Sequence, residues 1–409
     1  MDHELRLQLV GEAYARPTVP VSAPALVIHE ALFHEDNGQS SRAFAERVAD
    51  ALGVGPLSPN ADQFLATTPD ATWKWERHGE FYTWTVVLKG AFDPVAAVPK
   101  PALLEGAPGA RFVAAAVFVN TAEPSESELN RFFGAETAQN ERIGSLLSGG
   151  RGGVWTNFRV GEDGWTRLYF MQRDMTEFRA GRAMRRLLEI EVYRIAALFA
   201  LPLAKQAQRE IDALEKRVGA AIADTQKSEA DTLDELVDAA REVERIAQST
   251  AFRFGAANAY RSIVDQRLRE FREERIEGLQ RISAFLERRF APAMNTCTST
   301  QARLDTLAAR VERTASLLRT RVDIEMAAQN QQQLTSMNEN AKAQLRLQRA
   351  VEGFSVAAIA YYAYSLAAAI TSPINSWAGL LKSDVHKMLL ALITVAVVWL
   401  TLRHLRKKL

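Results

Sequence analysis

The sequence of 409 residues is short of cysteine and of net charge, and its N-terminus has no secretory pattern. The single cysteine, Cys297, cannot form an intrachain disulfide, so nothing indicates an oxidising compartment. The N-terminus has no basic segment followed by an apolar one, so the N-terminal part is expected to stay in the cytosol. A formal net charge of +1 argues against a nucleic-acid partner, because phosphate-binding proteins usually carry a clear basic excess.

Glycine and proline become scarce after about Asp174, and this change divides the chain. Before it, prolines and glycines recur at short intervals, and segments rich in β-branched and aromatic residues predict strands. The predicted strands are Ala25–Phe33, Phe81–Leu88, Arg111–Val119, Val154–Val160 and Trp165–Met171. Two helices are predicted in the same part, Ser41–Leu52 and Ser125–Leu147, the second beginning with a capping box of Ser125 and Glu128.

After Asp174 the apolar residues follow helical spacing, which is typical of coiled-coil-like packing. The first helix is predicted to end at Pro202, a later one to cover Ala251–Phe290, and the last to begin near Met294. The predicted seams are Ile211, Leu214, Val218, Ala221 and Thr225, then Leu233, Leu236, Ala240, Val243 and Ala247, and in the last helix Leu304, Leu307, Val311, Leu318 and Val322. The fold class is therefore predicted as α+β, with a cytosolic α/β domain (1–172), a helical bundle (173–292) and a stalk helix (293–353).

Two uncharged apolar segments lie near the C-terminus, Phe354–Thr371 and Met388–Leu402. As helices they would span roughly 27 and 23 Å of a hydrocarbon core about 30 Å thick, a gap that flanking residues can close. They predict a transmembrane hairpin with a loop at 372–387 and a basic tail at 403–409. Arginines before the first segment and in the tail place both ends of the hairpin in the cytoplasm of a bacterial inner membrane.

The two segments differ in composition. The first is rich in alanine and contains Tyr361, Tyr362 and Tyr364, which favours close packing between helices. The second is rich in leucine, valine and isoleucine, with Trp399 near the predicted interface, which suits contact with lipid. First segments inside and second segments outside predict a homo-oligomer in the bilayer.

Several stretches resemble one family, the bacterial membrane-anchored proteins grouped as domain of unknown function 3422. This resemblance covers nearly the whole chain and implies an inner-membrane location without an established activity. The stretches are EAYARP (Glu12–Pro17), Ala180–Ala204, RRFAPAMNTC (Arg288–Cys297), LLRTRVDIE (Leu317–Glu325) and Gln344–Tyr362.

The order of the predicted elements also resembles the CorA-type magnesium channels, funnel-shaped pentamers in which a stalk helix and the first span line a pore. Their Gly-Met-Asn motif is missing, and the corresponding stretch, Thr371–Asn375, keeps only the asparagine. The likeness implies a pentamer by analogy but leaves magnesium selectivity in doubt. CorA-like mitochondrial inner-membrane scaffolds are equally compatible with the pattern.

The candidate pore-lining residues share one helix face at the entrance to the first span, and Asn375 follows beyond the span. In a symmetric oligomer Glu352 would form a ring of carboxylates, which favours cations. Alternatively, Glu352 forms an ion pair with Arg349 of its own chain or of a neighbour. The candidate residues are Gln348, Glu352, Ser355, Ile359, Tyr362 and Asn375.

Other motifs favour structural roles. On one strand His29 and His34 would point to opposite faces, which argues against a shared metal. The loop 148–153 lacks the lysine of a phosphate-binding loop and is expected to be a hairpin turn. No base is identifiable for Cys297, which is expected to be structural. The arginines Arg182, Arg185, Arg186 and Arg194 are expected to pair with Glu189, Glu191 or acidic residues of neighbouring helices.

No ligand motif predicts a cofactor or a divalent cation site, and no nucleophile–base pair indicates an enzyme. Two functions remain open. The first is a cation conduit lined by the first spans of a homo-oligomer. The second is a non-conducting membrane scaffold whose cytosolic domain recruits a protein partner.

Overall fold

The computed structural model describes residues 3, 6, 17–59, 61–137, 140–378 and 383–406, with the side chains of 372–378, 383, 386, 402, 405 and 406 excepted. The chain divides into two compact units, Met1–Ala315 and Ser316–Leu409. The first unit contains both the predicted α/β domain and the predicted helical bundle. Most of the EAYARP motif and residues 407–409 of the basic tail lie outside the described residues.

A nine-stranded sheet lies at the centre of the first unit within the described residues. Its order is β2-β3-β4-β1-β5-β8-β7-β6-β9, and neighbouring strands are antiparallel except for the parallel pair β5 and β8. The strands are β1 Ala25–Phe33, β2 Gln63–Thr67, β3 Ala71–Arg77, β4 Phe81–Lys89, β5 Arg111–Asn120, β6 Ile143–Leu147, β7 Gly152–Val160, β8 Thr166–Gln172 and β9 Glu273–Arg275. The five predicted strands are confirmed to within two residues at each end.

The described helices follow the chain in a regular order. They are α1 Gln39–Ala51, α2 Glu126–Phe133, α3 Glu177–Leu198, α4 Ala200–Ala223, α5 Glu229–Phe271, α6 Ile282–Arg289, α7 Ala291–Ala378 and α8 Ser383–Arg406. A short 3-10 turn covers Ala102–Leu104. The described chain is thus a mixed α+β protein with its strands concentrated in the N-terminal half.

Both faces of the sheet are covered, because successive strand residues point to opposite sides. On one face Leu26 and Trp84 pack against Phe44 of α1. On the other, Val27 and Phe170 belong to the core that also includes residues of α3, α5 and α6. A strand covered on both faces carries few solvent-exposed side chains, which explains why eight of the nine residues of β1 are buried.

Helix α2 corrects the prediction of one helix over Ser125–Leu147. The capping box is confirmed. The Ser125 hydroxyl accepts a hydrogen bond from the Glu128 backbone N–H, and the Glu128 carboxylate accepts one from the Ser125 backbone N–H. The helix nevertheless ends at Phe133, where Gly134 takes a positive φ of 76°. The last five residues of the predicted helix form β6 instead, because tertiary pairing with β7 and β9 outweighs their local preference.

A second correction concerns the predicted helix Ala251–Phe290. Helix α5 ends at Phe271, and Arg272 turns the chain through a left-handed conformation, with φ 48°. Glu273–Arg275 then pair with β6 as β9. The apolar residues of this connection, Ile276 and Leu279, pack against the cluster around Trp155. Their apolar side chains are therefore buried against the sheet and are not part of a helix.

The boundary between α3 and α4 falls at Phe199, three residues before the predicted break at Pro202. Pro202 lies in the first turn of α4, where a missing backbone N–H costs nothing. The predicted seam of α4 is confirmed up to Ala221, whereas Thr225 is exposed and lies beyond the end of the helix at Ala223. The predicted seam of α5 is displaced by one residue at Leu233, Ala240 and Ala247. The buried residues of α5 include Thr232, Leu236, Ala239, Val243 and Ile246. In α7, Leu304, Leu307 and Val311 are buried as predicted, whereas Leu318 and Val322 are only partly buried.

In the second unit, helix α7 continues past the predicted end of the first span to Ala378. Helix α8 begins at Ser383, so both ends of the predicted loop 372–387 are helical, and residues 379–382 lie outside the described part.

The helical stretch Ile282–Thr371 contains an 18-residue window with a mean hydropathy of 1.5, none of it buried. By length and composition this helix could cross a membrane. A shorter apolar segment covers Lys387–Thr401.

Candidate functional site

An enclosed space that contains several polar side chains lies between the sheet and α3. Its floor is formed by β1, β3 and β4, and its roof by α3 and by the segment 17–21. Gly181 allows this segment to approach α3 closely, because a Cβ there would lie 2.0 Å from the Val19 carbonyl oxygen. The cavity has a volume of about 50 Å³, which is enough for a few water molecules and too small for a large ligand. We call it the α3 cavity.

Strand register brings the polar residues of the α3 cavity together. Thr85 of β4 is paired with His29 of β1 on one side and with Lys74 of β3 on the other. Residues paired across neighbouring strands point to the same face, so His29, Thr85 and Lys74 form one row across three strands. Glu76, two residues after Lys74, lies on the same face next to this row.

Lys74 is buried and forms an ion pair with Glu76, whose side chain is 15% exposed. The Lys74 ammonium lies 2.9 Å from a Glu76 carboxylate oxygen and donates to the Pro17 carbonyl oxygen, also at 2.9 Å. The Lys74 side chain is only 3% exposed. Burial lowers the pKa of Lys74. Burial alone would raise the pKa of Glu76, but the charge and hydrogen bond of Lys74 hold it below its ordinary value.

His29 is the one side chain of this row whose polar atoms are not all satisfied within the described structure. Its Nδ1 lies 2.9 Å from the Thr85 hydroxyl, while Nε2 is buried without a hydrogen-bond partner. The residue is 5% exposed. Burial lowers its pKa to about 4, and nearby Lys74 and His78 act in the same direction while Glu76 opposes them. The imidazole is thus neutral at pH 7, and its Nε2 can form a hydrogen bond with a small polar molecule in the cavity.

The roof adds a second set of charges. Arg185 of α3 donates to Glu189 at 2.8 Å, and Arg267 of α5 donates to the same carboxylate. The Tyr193 hydroxyl lies 3.5 Å from Nδ1 of His78. The expected pairing of the α3 arginines is confirmed for Arg185, and also for Arg186 with Glu270 and Arg194 with Glu191. In the described residues no group of three or more histidines, cysteines or acids is placed to hold a metal ion.

The candidate pore residues lie in the second unit. Gln348, Glu352, Ser355, Ile359 and Tyr362 are all exposed in the single chain. Gln348 donates to a Glu352 carboxylate oxygen at 3.3 Å, one turn away. The side chain of Asn375 lies outside the described residues. Their role as pore-lining residues stays a prediction.

The remaining sequence motifs have structural surroundings. Cys297 is 3% exposed in the core of the first unit, and burial raises the pKa of its thiol, which keeps it protonated. A hairpin turn connects β6 to β7 as predicted, but it covers only 148–151, because Gly152 and Gly153 pair with β6 as the start of β7. His34 contacts the Ser41 hydroxyl at 3.0 Å, away from the row that holds His29.

Sequence reasoning did not identify Lys74 and Glu76. The segment ATWKWER (Ala71–Arg77) alternates aromatic and charged residues, which could have predicted a strand with one solvated face. Nothing in it indicates that α3 covers the charged face.

Comparison with known proteins gives one match. No curated protein and no solved structure matches the chain, so the likeness to CorA-type channels gains no support. A family model described as a protein of unknown function, DUF3422, matches residues 1–409. The predicted family is confirmed: the chain belongs to DUF3422.

Proposed function

We propose that this protein is a membrane-anchored scaffold. In this proposal α7 and α8 hold a homo-oligomer in the bacterial inner membrane, and the α+β unit recruits a protein partner on the cytoplasmic side. The observation that carries the proposal is the contrast between the two units. The first has a closely packed core, whereas the apolar window of α7 has no buried residue. An exposed apolar helix of this length needs lipid or other helices around it.

The anchor is tested by placing a charge in the middle of the apolar window. Ala363→Arg is expected to weaken insertion by about 2.5 kcal/mol, because an arginine near the centre of the bilayer is costly. The expected result is a large loss of protein from carbonate-washed membranes. The matched control is Ala341→Arg, on the exposed, polar part of the same helix, which should be retained like the wild type. Equal retention of both variants would contradict membrane insertion of this helix.

Cation conduction is the second candidate, favoured by the exposed Gln348, Glu352 and Ser355 on one helix face. The same face continues with Ile359 and Tyr362, whose bulky side chains would narrow a water path. The first span contributes no charged side chain. These features favour the scaffold, and conduction is open to a direct test.

Purified protein in liposomes is expected to pass no more cations than empty liposomes if the scaffold proposal holds. If the wild type does conduct, Glu352→Gln should reduce cation flux severalfold, since the ring of carboxylates would be lost. Glu339→Gln, an exposed acid in the polar part of α7, is the matched control. Flux that is equal in both variants would exclude Glu352 from the conduit.

A further inference from the structure

A second, more open cleft lies on the first unit between β7, α3 and α6. Its volume is about 260 Å³, about five times that of the α3 cavity. Its side chains are mostly basic and aromatic. They include Phe158, Arg159, Arg194, Phe285 and Arg289, and we call it the Arg–Phe cleft.

The aromatic part of the Arg–Phe cleft is built on an unusual backbone. Phe158 has a φ of 52°, in the left-handed region that bulky residues avoid, at a register shift between β7 and β8. Its ring stacks on that of Phe285, with centroids 5.6 Å apart and planes inclined by 24°. The Arg194 guanidinium lies 4.6 Å from the centroid of the Phe158 ring. Strain of this kind persists where the surrounding structure enforces it, and it often accompanies ligand sites.

The charge of the cleft is positive and incompletely neutralised. Arg194 is held by two hydrogen bonds to the buried Glu191. The one carboxylate that lines the described cleft, Glu141, accepts from Arg288 at 2.7 and 2.9 Å. Arg159 and Arg289 are exposed, and neither forms an ion pair with a described residue. The position of Arg289 at the end of α6 is favourable for a cation, but this does not account for Arg159 on β7.

We propose that the Arg–Phe cleft binds a nucleoside phosphate. Arg159 and Arg289 supply the charge for the phosphate, since guanidinium groups bind phosphate oxygens through paired N–H donors. The Arg289 guanidinium now lies 6.0 Å from the centroid of the Phe285 ring. When this exposed arginine turns to the phosphate, it leaves that face of Phe285 to the base, and stacking of a base on an aromatic ring is favourable for any base. This site is separate from the α3 cavity and goes beyond the scaffold proposal.

The test is calorimetric titration of the full-length protein in detergent with ADP, adenosine and inorganic phosphate as separate probes. ADP is expected to bind saturably, and adenosine and phosphate each at least about tenfold more weakly, since each makes only part of the contacts. Arg159→Gln and Arg289→Gln should each weaken ADP binding by about tenfold or more. The matched control is Arg151→Gln, an exposed arginine in the turn between β6 and β7, which should bind ADP like the wild type.

Phe158→Gly separates the two parts of the site. Glycine accepts the left-handed backbone, so the variant removes the ring without adding strain. We expect it to weaken ADP binding while leaving phosphate binding unchanged. Phosphate that binds as tightly as ADP would overturn the nucleoside part of the proposal. ADP binding that is undetectable, or that is unchanged in the Arg159→Gln/Arg289→Gln variant, would overturn the site.

Discussion

Lys74→Met is expected to lower the free energy of unfolding by about 3 kcal/mol, because it leaves the mostly buried Glu76 carboxylate without the ammonium group beside it. The ammonium group lies 2.9 Å from Glu76 and is almost fully buried, so water cannot replace it. Loss of its bond to the Pro17 carbonyl oxygen also frees the segment that covers the α3 cavity. Denaturant unfolding of the detergent-solubilised protein, followed by tryptophan fluorescence, measures the change.

Two comparisons make this prediction specific. Lys89→Met removes a lysine that also donates to a backbone carbonyl at 2.9 Å, but at an exposed position, so it should change stability by about 0.5 kcal/mol or less. Lys74→Met combined with Glu76→Leu should recover most of the loss, since replacing both members of a buried pair by apolar residues is often neutral. A double variant as unstable as Lys74→Met would show that the cost arises from packing and not from an unpaired charge.

Acidification from pH 7.5 to 5 is expected to reduce stability by about 2 kcal/mol through His29 alone. Burial lowers its pKa in the folded protein to about 4, whereas an unfolded histidine has a pKa of about 6.5. Between these values the unfolded chain binds a proton that the folded protein does not bind. The contribution of His29 is therefore fully present above pH 6.5 and is lost as the pH falls towards 4, by about 3 kcal/mol in total.

His29→Gln isolates this contribution. Glutamine can still hydrogen-bond to Thr85 but does not titrate, so the variant should lose about 2 kcal/mol less than the wild type over the same pH interval. His404→Gln, an exposed histidine of α8, should behave like the wild type. The measurement is the free energy of unfolding at both pH values. Parallel pH dependence of the wild type and His29→Gln would mean that folding does not lower the pKa of His29.

The apolar segment of α7 could be predicted from the sequence, whereas the Arg–Phe cleft could not. The apolar segment of α7 is visible without tertiary information, because eighteen consecutive residues without charge have few stable surroundings other than lipid or protein. The Arg–Phe cleft could not have been predicted in the same way. It combines residues of β7, α3 and α6, and it depends on the positive φ of Phe158, which no local pattern indicates.

By itself the sequence determined the family, the α+β class, five strands and the apolar C-terminal segments, because these depend on composition and on the spacing of apolar residues along the chain. Tertiary structure alone decided that Ile143–Leu147 is a strand. One of its partners, β7, follows only after a turn, and the other, β9, is distant in the chain. Tertiary structure also decided that the charged face of β3 is covered. Lys74 and Glu76 have the spacing of a solvated strand face, and they are buried only because α3, a hundred residues later in the chain, packs over them. Alternation along a strand fixes which residues share a face, whereas long-range packing fixes whether that face meets water.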